Sequence, residues 1–306
     1  MSEKKYTIGI DIGGSHISCV AVDRFSQQIV KETFKRDRLS HTDTAENVFK
    51  AWAKAINECL SEVGVENVAG LGFAVPGPFN YQEGFSMMEH KYPNIYKKHI
   101  PTELSKYLIN KELPMRFLND ASSFAVGVCW GGNGKDFDRV VAITLGTGFG
   151  SAYIQNGAPV VSNEKVAPEG CFWHLPYKNG IADEYFSTRW FVKTYKEKTG
   201  IEVNGAKEIL ERGDQFEEIF NEFGNNLGEF LAPWLKKFDA EILILGGNIS
   251  LAFSYFEKAL QTTLTNAGVF TKVAVSGLME NAAMVGAARL FEEDFWQRVS
   301  KDLPKI

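Results

Sequence analysis

Cysteine is scarce in this chain, and the four present (Cys19, Cys59, Cys129 and Cys171) are scattered, with no C-x-x-C pair. That spacing matches neither a disulfide framework nor a cysteine-rich zinc site, so no zinc is expected, and it suits a reducing compartment. A signal-peptide core is also missing, because Met1-Ser-Glu-Lys-Lys-Tyr runs straight into an apolar strand. No apolar run approaches the ~20 residues that cross a bilayer. Positive charge is not in excess: the formal net charge is −5, which disfavours nucleic acid or a membrane surface as partner. A cytoplasmic protein is the expectation.

Two common nucleotide motifs are absent as well. No G-x-x-x-x-G-K-[ST] exists, since Gly134-Lys135 lacks the leading glycine and is followed by Asp136. No G-x-G-x-x-G opens a helix after a strand, so a dinucleotide site of that kind is not expected. No linker or low-complexity segment interrupts the chain.

What is present is an ordinary globular composition, 44% hydrophobic and 23% charged, over 306 residues, a length natural for two lobes. An apolar strand at Tyr6 to Ile10 meets a turn at Gly13-Gly14, a second strand at Ile17 to Val22 and a third around Gln28 to Phe34. Apolar residues at Ala45, Val48, Phe49, Trp52, Ile56, Cys59, Leu60 and Val63 follow helical periodicity. Asp43 with Glu46 would open that helix and Gly64 would close it. A buried strand at Val68 to Val75 ends in Pro76-Gly77-Pro78. After a helix near Thr102 to Ile109, a strand around Met115 to Leu118 ends at Asn119-Asp120, and a helix runs on to Trp130.

At Arg139 the pattern restarts: a strand at Val140 to Leu145, the turn Gly146-Thr147-Gly148, and a strand at Ser151 to Ile154. Ile10-Asp11-Ile12-Gly13-Gly14 overlays Ile143-Thr144-Leu145-Gly146-Thr147, which suggests an internal duplication. Then come a helix from about Gln215 to Lys237, a strand at Glu241 to Leu245, Gly246-Gly247, another helix, and an amphipathic helix from Asn281. The class is α/β, with a ligand expected in the cleft between the lobes.

Phosphates need converging backbone N–H groups, and glycine lets the backbone approach closely and adopt positive φ. Gly13-Gly14-Ser15 and Gly146-Thr147-Gly148 offer this, each with a hydroxyl. Either alone reads equally as a tight hairpin. Asp11 reads as a carboxylate holding Mg²⁺ through water or as an acidic turn-former. Gly246-Gly247 could carry a flat ring such as adenine, or simply begin a helix.

Taken together these residues resemble the ROK family (repressors, open reading frames and kinases) of the actin-like ATPase superfamily. The carriers are Gly9-Ile-Asp-Ile-Gly-Gly-Ser15, Gly72-Phe-Ala-Val-Pro-Gly-Pro78, Leu118-Asn-Asp-Ala121, Thr144-Leu-Gly-Thr-Gly148, Ile244-Leu-Gly-Gly-Asn248 and Ala282-Ala-Met-Val-Gly-Ala287. The resemblance implies a two-lobed fold with a ribonuclease-H-like core in each lobe: residues 1–119 with about 290–306, and residues 120–289. It implies a glucokinase-like or N-acetylhexosamine-kinase-like enzyme, using ATP and Mg²⁺, with Asp120 as general base on a sugar hydroxyl. Gly77, Asn119, Asp120, His174 and Asp183 would contact the sugar. The two glycine turns, Asp11 and Gly246-Gly247 would hold the nucleotide, in a homodimer.

The departures are specific. Where many relatives read Gly-Thr-Lys, this chain has Gly14-Ser15-His16. Many relatives carry Gly-Glu-x-Gly-His followed by a zinc-binding cysteine run and a Glu; here His174 keeps its place, Cys171 replaces the first Glu, and Asp183 falls at the second. Glu169 and Glu184 are the alternative carboxylates, and the zinc cysteines are gone. The competing readings are a non-catalytic sugar-sensing relative, an actin-like ATPase without a small substrate, and a repressor, for which no winged helix fits before Tyr6.

Overall fold

The structure, a computed structural model, describes residues 4–40, 42–89, 91–213 and 216–303. Met1, Gln215 and the final three residues of the expected first lobe therefore lie outside the described residues. The chain divides into two units: Met1–Gly132 with Asn281–Ile306, and Asn133–Glu280.

In chain order the first unit contributes β1 (Tyr6–Ile12), β2 (His16–Asp23), β3 (Ile29–Arg38), α1 (Ala45–Val63), β4 (Val68–Val75), β5 (Met115–Asn119) and α2 (Asp120–Trp130). The second contributes β6 (Arg139–Leu145), β7 (Phe149–Gln155), β8 (Ala158–Pro159), α3 (Thr188–Thr199), α4 (Phe216–Phe238), β9 (Ile242–Gly246), α5 (Phe253–Asn266) and β10 (Lys272–Val275). The chain then returns to the first unit with α6 (Asn281–Ala288).

The two main sheets share one topology. In the first the strand order is β3-β2-β1-β4-β5; in the second it is β8-β7-β6-β9-β10. Each begins with an antiparallel meander of three strands, and each adds two strands parallel to the first. Ile12 closes β1 as Leu145 closes β6, so the structural equivalence has the register read from the sequence. The duplication is real at the level of topology.

Several boundaries differ from expectation, each for a physical reason. Thr44, not Asp43, caps α1: its extended backbone lets the hydroxyl accept from the Asn47 N–H at 3.3 Å. The segment near 102–109 is only a short helix, Ile100–Leu104, followed by a 3₁₀ turn. α6 is not amphipathic. Ala282, Met284, Val285, Gly286, Ala287 and Ala288 are all buried, so it runs through the interior of its unit.

That burial also shifts the division between units from 119 and 290 to 132 and 281. A Cβ on Gly9 or Gly72 would strike the α6 backbone at Met284 or Ala287, and one on Gly127 would strike Ala282. A Cβ on Gly286 would strike the Ser123 carbonyl in return. Four glycines thus let β1, β4 and α2 meet α6 backbone to backbone, tying both helices to the first sheet.

The second unit is built on aromatic rings. Phe149, Phe172, Phe186, Phe223, Phe230 and Phe238 pack with Tyr153 into one core between the sheet and α4. Fully burying each such ring contributes about 1.5–3 kcal/mol, and Phe172 and Phe186 thereby anchor the connecting segments that carry them against β7 and α4.

Candidate functional site

In the first unit β1, β4 and β5 lie side by side and parallel, so their carboxyl ends share one edge of the sheet. The register sets Asp11 beside Ala74 and Val75 beside Asn119. Asp11 and Asn119 are therefore two strand spacings apart, roughly 10 Å. This edge is where open parallel sheets bind ligands.

Asn119 and Asp120 occupy the junction of β5 and α2. Asn119 is the helix cap: its Oδ1 accepts from the Ala121 and Ser122 N–H groups at 3.1 and 3.2 Å. Its Nδ2 donates to the Tyr81 hydroxyl at 3.3 Å, and that hydroxyl donates to the Val75 carbonyl at 3.1 Å. With the cap filled by its neighbour, Asp120 is freed from that duty. Its Oδ1 accepts the Ala121 N–H at 2.9 Å, and among the described residues its Oδ2 accepts nothing. Burial, and then the charge of Asp120, push the Tyr81 phenol well above its usual range. Gly77 is exposed in the turn after β4, and a Cβ there would lie 3.5 Å from the Tyr81 hydroxyl.

The first glycine turn joins β1 to β2. The Gly13 N–H donates to the His16 carbonyl at 2.9 Å, and the buried Tyr92 hydroxyl donates to the Gly13 carbonyl at 2.6 Å. Neither Gly13 nor Gly14 adopts positive φ, contrary to expectation. At Gly13 the constraint is spatial, since a Cβ would lie 2.5 Å from the His16 ring, whereas Gly14 faces open space and nothing around it requires glycine. Gly14 and Ser15 are exposed. His16 Nε2 lies 3.0 Å from the Arg36 guanidinium, so a cation stands near this turn although the expected lysine position holds His16. Asp11 is half-buried at the end of β1, and its charge adds to burial in raising the Tyr92 phenol to about 12. A carboxylate there, beside the turn, suits a water-mediated Mg²⁺.

In the second unit the turn Gly146-Thr147-Gly148 leaves β6 in the equivalent place. Gly146 accepts at its carbonyl from the Thr188 N–H at 2.8 Å and the Thr188 hydroxyl at 2.9 Å, which docks the start of α3 against the turn. Thr147 and Gly148 are exposed, and a Cβ on Gly146 would meet nothing within 4 Å. Again φ is not positive at either glycine. Gly246 ends β9 beside Thr144, and Gly247 does need its φ of +80°, because any Cβ there would strike the Leu145 backbone.

Asp183 has partners at both carboxylate oxygens. Its Oδ1 accepts the Phe149 N–H at 2.7 Å and its Oδ2 pairs with Arg189, so both oxygens serve the glycine turn and α3. Glu184 is exposed, with one oxygen accepting the Ile181 N–H at 3.2 Å.

His174 sits in a loop fixed by Phe172, whose ring is fully buried and whose N–H donates to the Ser151 hydroxyl at 2.8 Å. Phe172 and Tyr177 thus belong to the core, while Trp173 is exposed with its ring edge-on to His174. Cys171 Sγ lies 3.7 Å from His174 Nδ1, and Glu169 joins them: one ligand atom from each of the three falls within 4.8 Å of the others. Burial, then the charge of Glu169, push the Cys171 thiol up to about 11. Cys171 thus has a histidine and a glutamate as neighbours, although no second cysteine is paired with it in sequence. Tyr81, Tyr92, Thr188 and Arg189 belong to no motif; the first three act through contacts 38, 79 and 42 residues away, and Arg189 through Asp183, six residues back.

Comparison with known proteins gives one consistent result. The family model described as "ROK family" matches residues 7–294. A glucokinase of Thermotoga maritima is 26% identical over 94% of this chain and 97% of its own. An N-acetyl-D-glucosamine kinase of Haemophilus influenzae is 28% identical over 84% of this chain and 88% of its own. Among solved structures, a ROK family glucokinase from Streptomyces griseus in complex with glucose and AMPPNP superposes with a TM-score of 0.74 at 24% identity, covering 94% of this chain and 99% of that one.

Proposed function

The chain belongs to the ROK family and is an ATP-dependent carbohydrate kinase, and from that premise we propose that Asp120 is its general base. The observation that carries the reading is the division of labour at the end of β5. Asn119 caps the helix and is anchored by Tyr81, while Asp120 keeps one carboxylate oxygen without a partner among the described residues. A carboxylate held by one N–H and open at its other oxygen can take a proton without the backbone moving. As the sugar oxygen bonds to the γ-phosphorus and the bond to the β,γ-bridging oxygen breaks, the hydroxyl proton passes to Asp120. Such proton removal typically contributes ~10²–10⁴ in rate.

The remaining groups take supporting roles in this proposal. Exposed amides at Gly13-Gly14-Ser15 and Gly146-Thr147-Gly148 would donate to ATP phosphates. Mg²⁺ arriving with the nucleotide would be held through water at Asp11 and would offset charge on the transferring group. Gly246-Gly247 would carry adenine. Gly77, Asn119 and His174 would contact the sugar. Asp183 we assign to holding the second turn, since its carboxylate is already engaged there.

The substrate is proposed to be a sugar substituted at its anomeric end, such as a glycoside. A thiol at Cys171 is a weak donor and acceptor where the resemblance places a carboxylate, so hydroxyl recognition there is weakened. Losing a charge-assisted hydrogen bond costs about 1.5–3 kcal/mol, or roughly ten- to a hundredfold in kcat/KM. The experiment is a comparison of kcat/KM for glucose, N-acetylated hexosamines, mannose, fructose and β-glucosides. Glucose as the best substrate would refute the anomeric proposal.

A further inference from the structure

We infer that Tyr92 and Thr188 are positioning residues for the two glycine turns, their hydroxyls fixing which side of one peptide group is offered to a phosphate. This rests on the reading that the turns hold the ATP phosphates. Gly13 and Gly146 are equivalent, each following the last residue of the first strand of its sheet. Each spends its N–H inside the turn, Gly13 on the His16 carbonyl at 2.9 Å and Gly146 on the Gly148 carbonyl at 3.1 Å. Each carbonyl accepts from a hydroxyl distant in sequence but within the same unit, Tyr92 at 2.6 Å for Gly13 and Thr188 at 2.9 Å for Gly146. The elements that bring these hydroxyls are unrelated: a 3₁₀ turn over Pro93–Ile95 in one unit, the start of α3 in the other. The same carbonyl is thus anchored twice, by different means.

A trans peptide points its N–H opposite to its carbonyl, and both of these peptides are trans. Tyr92 is buried, its ring edge-on to Trp52 of α1 at 5.9 Å, and Asn94 fastens the same turn to the Thr42 and Asp43 carbonyls at 3.1 and 2.8 Å. With the Gly13 carbonyl held on Tyr92, the Gly14 N–H points away from that buried anchor. Thr188 does the same for the Thr147 N–H. Gly14 and Thr147 are exposed, and among the described residues neither N–H has an acceptor. Turning the peptide over would present a carbonyl to the phosphate and replace attraction by repulsion. The flip drives φ of the second residue towards positive values, which glycine adopts readily and a β-branched residue resists. Gly14 therefore leaves the choice to Tyr92. Thr147 opposes the flip by itself, and the Thr188 N–H also holds the Gly146 carbonyl at 2.8 Å, so the second turn depends less on its hydroxyl.

The test uses the full chain and the Kd of a non-hydrolysable ATP analogue with Mg²⁺, read by isothermal titration. Tyr92→Phe keeps the ring against Trp52 and removes only the hydroxyl; Kd should rise roughly three- to tenfold, as for a lost neutral hydrogen bond, with far-ultraviolet circular dichroism unchanged. Thr188→Val should raise Kd by less than about twofold. Gly14→Ala puts its Cβ into open space and opposes positive φ, so Tyr92→Phe made in that background should cost less than about twofold, a rescue that lost packing would not give. In the unaltered chain labelled with ¹⁵N, the analogue should shift the amide resonances of Gly14 and Thr147 more than those of Gly13 and Gly146, whether or not the variants fold. An unchanged Kd in folded Tyr92→Phe, the same loss with and without Gly14→Ala, or larger shifts at Gly13 and Gly146 would overturn the inference alone. An unaltered chain that binds no analogue would overturn it together with the reading of the turns.

Discussion

Replacing Asp120 with Asn removes the base while leaving nearly everything around it in place. The amide is the same size as the carboxylate, and its oxygen can still accept the Ala121 N–H now 2.9 Å from Oδ1. The cap is untouched, because Asn119 supplies it through the Ala121 and Ser122 N–H groups. Folding stability should therefore change by less than about 1 kcal/mol, the range for a substitution that strands no buried group. Catalysis should change far more. An amide cannot take the hydroxyl proton at neutral pH, so kcat should fall ~10²–10⁴, roughly 3–5 kcal/mol of barrier. Steady-state ADP release at saturating MgATP and sugar measures the first quantity, and urea denaturation the second. A variant that keeps more than about a tenth of the original kcat, while folded, would refute the assignment.

Asn119→Ala should cost about 0.5–2 kcal/mol in urea denaturation, because the N-terminus of α2 loses its acceptor. Asp183→Ala strips the acceptor from the Phe149 N–H and the partner from Arg189; KM for MgATP should rise roughly tenfold or more, and an unchanged KM would remove Asp183 from the turn-holding role. Gly286→Val drives a branched side chain into the Ser123 carbonyl and should destabilise the first unit by about 3 kcal/mol or more, measured by thermal or urea unfolding. Cys171→Glu should raise kcat/KM for free glucose roughly tenfold or more, and no gain would set aside the anomeric proposal.

Much of this architecture could be read from the sequence because its signals are local. The glycine turns after Ile12 and Leu145, the helical stripe from Ala45 to Val63, and the Asn119-Asp120 junction depend on neighbouring residues alone. The repeat of strand, turn and strand was legible for the same reason, and the shared sheet order bears it out. What periodicity could not tell was that α6 is buried on every side, since alanine and glycine satisfy a surface stripe and an interior helix equally. The glycines at 9, 72, 127 and 286 acquire their meaning only when α6 lies against them. Positive φ was the wrong reason for Gly13-Gly14: the ring of His16 crowds Gly13, and nothing around Gly14 requires glycine. That Asp183 also receives the Phe149 N–H could not be read from the sequence, because the two residues are 34 positions apart. A search for paired cysteines passed over Cys171, whose companions are a histidine three residues on and a glutamate two residues back.

The most direct test of the account is product formation from MgATP with a panel of sugars, following ADP and phosphorylated sugar in the same reaction. The account predicts that at least one sugar raises ADP release far above the sugar-free rate. Phosphorylated sugar should appear in equal amount, with both products lost in Asp120→Asn. ADP release that no sugar stimulates, or sugar-dependent release with no phosphorylated sugar formed, would contradict it.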